Sequence, residues 1–133
     1  MQRTVSPSTD DGSIEQEIVA RGLTAPRITP SDVEGNIVSA HYFTAAQGNL
    51  QCAIDEDRDD EQQGPESLRL LTFCVLVLRN GFTVTGESAC ASPENFDAEL
   101  GRKIARVKAV DKIWPLMGYE LRTRLVTSQE AAP

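Results

Sequence analysis

The segment Gly86-Glu87-Ser88-Ala89-Cys90-Ala91-Ser92-Pro93 leads from a strand-like stretch into a helix start, and holds the densest potential chemistry in the sequence. Free amides at a helix N-terminus attract anions, and the hydroxyls of Ser88 and Ser92 would add donors around a phosphate or carboxylate. The Cys90 thiol lies between them, and Arg102 and Arg106 follow on the next helix with positive charge. Read for structure alone, the same serines cap a helix, the small residues permit a tight turn, and the arginines solvate a helical face. Ser88, Cys90, Ser92, Arg102 and Arg106 are the candidate ligand-binding set, an anion seat.

No catalytic set accompanies them. A cysteine nucleophile needs a neighbouring base or a depressed pKa, and the sequence around Cys90 offers neither. His41, the only histidine, stands beside Tyr42 and Phe43 without a nucleophile or carboxylate partner close by. There is no Gly-rich phosphate loop and no nucleophile elbow. Cys52, Cys74 and Cys90 lack CxxC spacing, and with one histidine they do not make up a zinc site. Asp55, Asp57, Asp59 and Glu66 are spaced like calcium ligands, but Asp60 occupies the position of the required glycine and Gly64-Pro65 breaks the loop. The expectation is a chain that is not an enzyme, with no metal and no cofactor.

Charge narrows the partners. The formal net charge is −7, with 13 acids and 4 bases in residues 1–66 (−9) against 7 acids and 9 bases in residues 67–133 (+2). That acidity argues against nucleic acid as a partner, because phosphate-backbone binding draws on Lys and Arg. The C-terminal half retains the charge to attract one small anion. No apolar run is long enough to cross a membrane, and the first residues lack the apolar stretch of a signal peptide. An odd number of cysteines without a framework reads as reduced thiols.

The elements that must position these groups form a single α+β domain over residues 13–126, flanked by a disordered tail (1–12) and a C-terminal tail (127–133). Ser13, with Gln16 three residues on, predicts a first helix that stops at Gly22. Thr29-Pro30 predicts a second, with Val33, Ile37 and Ala40 as its inward stripe and residues 41–43 at its end. The acidic loop 55–66 follows. The apolar run from Leu70 to Leu78, then Asn80-Gly81, then Phe82 to Ser88 predicts a hairpin with a two-residue turn.

That turn would pair Val77 with Val84, Val75 with Gly86 and Phe73 with Ser88, the face expected to meet a helix. Ser92-Pro93 predicts one long helix to about Trp114, ended by Pro115. Phe96, Leu100, Ile104, Val107 and Trp114 form its core stripe, while Ala98, Gly101, Ala105 and Ala109 form a seam open to the sheet or to a second subunit. The alternation of Tyr119, Leu121, Thr123 and Leu125 with Glu120, Arg122 and Arg124 predicts a third strand. The fold class is α+β. A small antiparallel sheet, the hairpin plus a C-terminal strand, packs with one long helix and two N-terminal helices in the order ααββαβ.

Several of these pieces recur together in a known family. Asn80-Gly81, Gly86-Glu87-Ser88-Ala89-Cys90, Asn95-Phe96-Asp97, Gly101 and the stretch from Trp114 to Tyr119 resemble a family of small tailed-phage proteins. Its types are gene product forty-nine of phage N-four and gene product sixty-six of phage Sf-six. The resemblance covers residues 14–125 apart from the acidic insert, and it carries over no catalytic residue. It implies a phage or prophage accessory protein acting in the host bacterial cytoplasm.

Together these readings lead to a non-enzymatic binding protein, a homo-oligomer that sequesters a small nucleotide ligand, an immune signal of the host. The rival is an interaction module that binds and inhibits a host protein through the acidic loop.

Overall fold

Three N-cap residues set where the chain turns into helix. The Thr29 hydroxyl accepts the Asp32 N–H (3.1 Å), and the Asp32 carboxylate accepts the Thr29 N–H (2.9 Å). Pro30 then supplies a first helical residue whose missing N–H costs nothing. Thr44 and Gln47 repeat the reciprocal pair at 3.1 and 2.9 Å, and the Asp97 carboxylate accepts the Leu100 N–H at 3.0 Å.

In the computed structural model, which describes residues 7–58 and 64–131, these caps open α2 (Pro30–Gly35), α3 (Ala45–Asp55) and α4 (Ala98–Asp111). α1 (Pro7–Ala20) comes before them and α5 (Ile113–Ala131) after. β1 (Ile37–Thr44), β2 (Leu71–Leu78) and β3 (Thr83–Ala89) form one antiparallel sheet in the order β1-β2-β3. The order along the chain is ααβαββαα, an α+β fold with a three-stranded antiparallel sheet. Residues 1–6 of the expected tail, 59–63 of the acidic loop and 132–133 lie outside the described residues.

The first helix begins at Pro7, ahead of Ser13, and ends as expected at Gly22, whose φ is +71°. The Gly22 N–H bonds the Val19 carbonyl (3.0 Å) and the Leu23 N–H bonds that of Ile18 (3.2 Å), the paired pattern of a left-handed glycine stop. The second helix is shorter than its apolar spacing suggested. It stops at Gly35, Asn36 caps it, and Ile37-Val38 begin a strand. Three apolar residues could not distinguish the two periods, and β-branched Ile and Val favour the strand. Arg79 ties this corner to the hairpin, its Nε donating to the Gly35 carbonyl at 2.6 Å.

The hairpin lies where Asn80-Gly81 placed it, with a longer turn. The Gly81 N–H reaches the Leu78 carbonyl (2.9 Å) and the Leu78 N–H reaches the Phe82 carbonyl (2.8 Å), leaving Arg79, Asn80 and Gly81 as the loop. Gly81 alone of these has positive φ, at +87°. A type I turn closed by a left-handed glycine therefore replaces the expected two-residue turn. One extra loop residue slides the register by one and changes which residues share a face. Leu76 lies opposite Val84, Cys74 opposite Gly86, and Thr72 opposite Ser88. The even-numbered residues of β2 are the buried ones.

The face of α4 is also reversed. Its small seam enters the core: Gly101, Ala105 and Ala109 are buried against the sheet, while Leu100 and Ile104 are 52% and 38% exposed. The cause is on the facing strand. A Cβ built on Gly86 would stand 2.1 Å from the Ala105 carbonyl oxygen and 2.5 Å from the Ala109 nitrogen, so helix and strand meet backbone to backbone. Only small side chains fit such a gap. Leu76, Ile113, Val33 and Cys74 fill the rest of the core, with Trp114 and Met117 packed at its edge.

The C-terminal segment is helix, not the expected strand, so β1 supplies the third strand. Pro115 falls in the first turn of α5, where its missing N–H is tolerated, and it breaks α4 from α5 at Lys112 without ending helical structure. Trp114, Met117, Leu121 and Leu125 form a half-buried helical stripe, with Val126 beside it, whereas Tyr119 is 79% exposed. Glu120 and Arg124 pair across one turn at 3.7 Å.

α1 is held by a two-pronged ion pair, Arg27 Nη1 and Nη2 to the Glu15 carboxylate at 2.6 Å each, which lowers the Glu15 pKa. Asp111 opposes it at the C-terminal end of α4. Partial burial and then the nearby Asp11 carboxylate of α1 push its carboxyl up from 3.8.

Two outcomes follow from this packing. Gly86→Ala should cost about 3 kcal/mol in denaturant unfolding, because the added methyl meets backbone that cannot yield. Asp111→Asn should raise the thermal midpoint near neutral pH. The raised folded pKa means that the fold disfavours the charged form, so the penalty exists only above the unfolded carboxylate range. At about pH 3 the variant and the parent should melt alike.

Candidate functional site

The five candidate residues do not form one seat. Ser88 lies on the helix-facing side of β3, across from Thr72. Cys90 is pinned by its N–H to the Leu70 carbonyl (2.9 Å), and its thiol donates to the Ser92 carbonyl (3.1 Å). Ser92 precedes a short 3₁₀ turn, Pro93–Asn95, and its hydroxyl makes no capping bond. The helix proper starts later, at Ala98, and the Asp97 carboxylate already accepts the Leu100 N–H of its first turn. Ser88 and Cys90 line a shallow depression of about 160 Å³ together with Asp97, whose negative charge repels an anion. Arg102 and Arg106 point to the other flank of α4, and Arg106 is paired with Glu34 at 3.1 Å.

On that other flank the structure opens a cleft of about 680 Å³. α3 and the segment leading into the 3₁₀ turn Glu66–Leu70 form one wall, the end of β1 and the start of α4 the other. Leu50, Tyr42 and Phe96 give it apolar and aromatic surface, and Gln47, Arg69 and Arg102 give it donors. Arg69 is engaged with Glu66 at 2.5 Å. Arg102 is exposed and makes no salt bridge among the described residues.

Thr72 lies between the cleft and the shallow depression and lines both. It is 3% exposed, and its hydroxyl has no hydrogen-bond partner among the described residues. Gly101 comes so close that a Cβ there would stand 3.0 Å from this oxygen. The helix amides above it are spent within α4, and the strand amides beside it within the sheet. A buried hydroxyl left in this state costs about 1–3 kcal/mol.

Two titratable groups near the cleft are held in their neutral forms. Partial burial raises the pKa of Tyr42, and Cys74 adds to this while Arg106 opposes it, so the phenol remains a hydrogen-bond donor at neutral pH. Burial also pushes the Cys74 thiol up, against the Tyr42 hydrogen bond and the Arg106 charge, and so keeps it protonated. His41 is on the opposite sheet face, exposed, with Nε2 3.0 Å from the Ser39 hydroxyl.

Sequence reasoning found Arg102 but missed Thr72, Tyr42 and Gln47. Thr72 carried a signal, since it is the hydroxyl interrupting the apolar run of β2. Tyr42 and Gln47 carried none, because their segment read as the end of a helix.

Fold and cleft define a class: a small α+β protein whose sheet is backed by one closely packed helix, with an arginine-bearing cleft at the sheet's end. The chain belongs to the Phage protein (N4 Gp49/phage Sf6 gene 66) family, whose model matches residues 28–125 and so runs from α2 into α5 and takes in every wall of the cleft. No curated protein and no solved structure matches it.

Thr72→Val keeps the shape of the side chain and removes the unsatisfied oxygen. It should stabilise the ligand-free chain by roughly 1 kcal/mol in chemical denaturation.

Proposed function

We propose that this chain is a phage-encoded, non-enzymatic binding protein of the host cytoplasm. It captures a small nucleotide signal of host immunity and withholds it from its receptor as a homo-oligomer. The observation that carries this reading is the cleft itself, where Arg102 and the buried Thr72 hydroxyl, neither with a partner among the described residues, meet aromatic and aliphatic walls. One cation suits one phosphate, and Phe96 and Tyr42 suit a flat base. The volume falls within the range of about 300–1,000 Å³ usual for small-ligand sites. A chain with net charge −7 holds off long polyanions while a single arginine admits a small one. The Cys74 thiol behind the cleft is buried and held protonated, which supports capture over turnover.

A second reading rests on the concentration of charge in residues 55–61, Asp-Glu-Asp-Arg-Asp-Asp-Glu, which would dock on a basic surface of a host protein. The two separate cleanly. Deleting residues 57–62 should leave ligand capture intact and abolish docking.

Isothermal titration against mononucleotides, cyclic dinucleotides and ADP-ribose derivatives tests the capture reading. One of these should bind, and Arg102→Ala should weaken it by about 10–100-fold, the worth of a charge-assisted hydrogen bond. Thr72→Val should weaken it less while stabilising the free chain. Absence of heat with all three ligand classes would contradict the reading.

A further inference from the structure

The sheet has two edges, and they are guarded differently. β1 carries a register irregularity between Ile37 and Ser39, with Val38 thrown outward at 64% exposure, a bulge of the kind that blunts pairing. β3 has no bulge, no proline and no lysine, and its one charged residue is Glu87. Its neighbours are β2 on one side and α4 beneath. No strand among the described residues pairs with the other side.

The hydrogen-bond phase says which backbone groups face that opening. Leu78 bonds Phe82 at one end of the β2–β3 ladder, and Cys90 bonds Leu70 at the other. The bonded pairs of an antiparallel ladder alternate, so Val84, Gly86 and Ser88 spend their N–H and C=O on β2. Thr83, Thr85 and Glu87 direct theirs outward, a strand-length row of unspent donors and acceptors. Beside this row α4 presents Leu100 and Ile104, 52% and 38% exposed, which the close seam against Gly86 keeps out of the core.

We infer that the β3 edge is a dimerisation surface and that its occupant is a second copy of this chain. A row of strand groups calls for another strand, and an antiparallel strand pairs with itself about a two-fold axis. An axis at Thr85 sets Thr85 against its own copy and Thr83 against Glu87. The one carboxylate of the edge then never meets itself. The same axis brings the Leu100–Ile104 surfaces of the two α4 helices together beneath the joined strands, and the two three-stranded sheets become one of six. The excess negative charge lies in residues 1–66 (−9), and this sparsely charged edge belongs to the half that carries +2, where two copies can approach. The proposal goes beyond the homo-oligomer assumed for ligand capture by assigning its contact, and it places that contact across the sheet from the cleft.

Sedimentation equilibrium of the full chain reads the outcome. The parent should run at twice its 14.5 kDa mass. Thr85→Pro removes an outward N–H without touching the β2 ladder, and it should raise the dimer dissociation constant at least roughly tenfold. Ile104→Lys, at an exposed position that folding does not require, should do the same with unchanged circular dichroism. Val38→Lys, on the other edge, should leave the dimer intact. A parent that stays monomeric on concentration, an Ile104→Lys chain that dimerises normally, or a Val38→Lys chain that falls apart would each overturn the proposal. A monomer that still binds nucleotide would refute the dimer alone, and a dimer that binds none would refute capture alone.

Discussion

The structure depends on how closely α4 approaches the sheet. Gly86 has no side chain, and the backbone of Ala105 and Ala109 occupies the space where one would be. Buried helix–sheet contacts usually keep the two backbones apart by a layer of side chains. Here the layer is reduced to glycine and alanine at the centre, and larger residues fill in only towards Leu76, Leu78, Val110 and Ile113. The free energy of the contact comes from many short-range dispersion contacts and from the apolar surface of β2. Its geometry comes from the absence of one methyl group.

That geometry sorts the rest of the helix. With Gly101, Ala105 and Ala109 facing inward, Arg102 and Arg106 turn to the β1 side, and Leu100 and Ile104 turn to the β3 side. One flank therefore collects cations, a phenol and an orphaned hydroxyl, and the other collects exposed aliphatics beside an unguarded strand. Thr72 lies under Gly101 between them, where the helix comes close to its hydroxyl and offers no free amide in return. A ligand-facing side and a partner-facing side thus arise from the same rotation of one helix.

Much of the fold was legible where a residue's local chemistry has one meaning. Gly22 ends a helix, Thr29-Pro30 begins one, and Asn80-Gly81 turns a hairpin, all as the sequence indicates. Errors arose where local chemistry left two solutions and packing chose between them. Asn-Gly allows both a two-residue turn and a type I turn closed by glycine, and the second moved every cross-strand partner by one. A helix with a bulky stripe and a small stripe can present either to a sheet. Gly86 decides between them, yet nothing around Gly86 in sequence reports that α4 lies above it. Period-two alternation in residues 119–125 competed with a stripe at Trp114, Met117, Leu121 and Leu125, and the longer pattern holds. The site shared this fate: Arg102 could be read from its charge, but the cleft it faces is assembled from three separated stretches, 42–50, 64–72 and 96–102.

The face that α4 turns to the sheet is the most direct point of test. Nuclear Overhauser spectroscopy on the isotopically labelled chain measures it without substitution. Strong cross-peaks should connect the Gly86 α-protons to the Ala109 amide and to the Ala105 α-proton, while the Leu100 and Ile104 methyls show none to Val84. Cross-peaks from those methyls to Val84 and Leu76, with Gly86 silent towards α4, would contradict the account at its root.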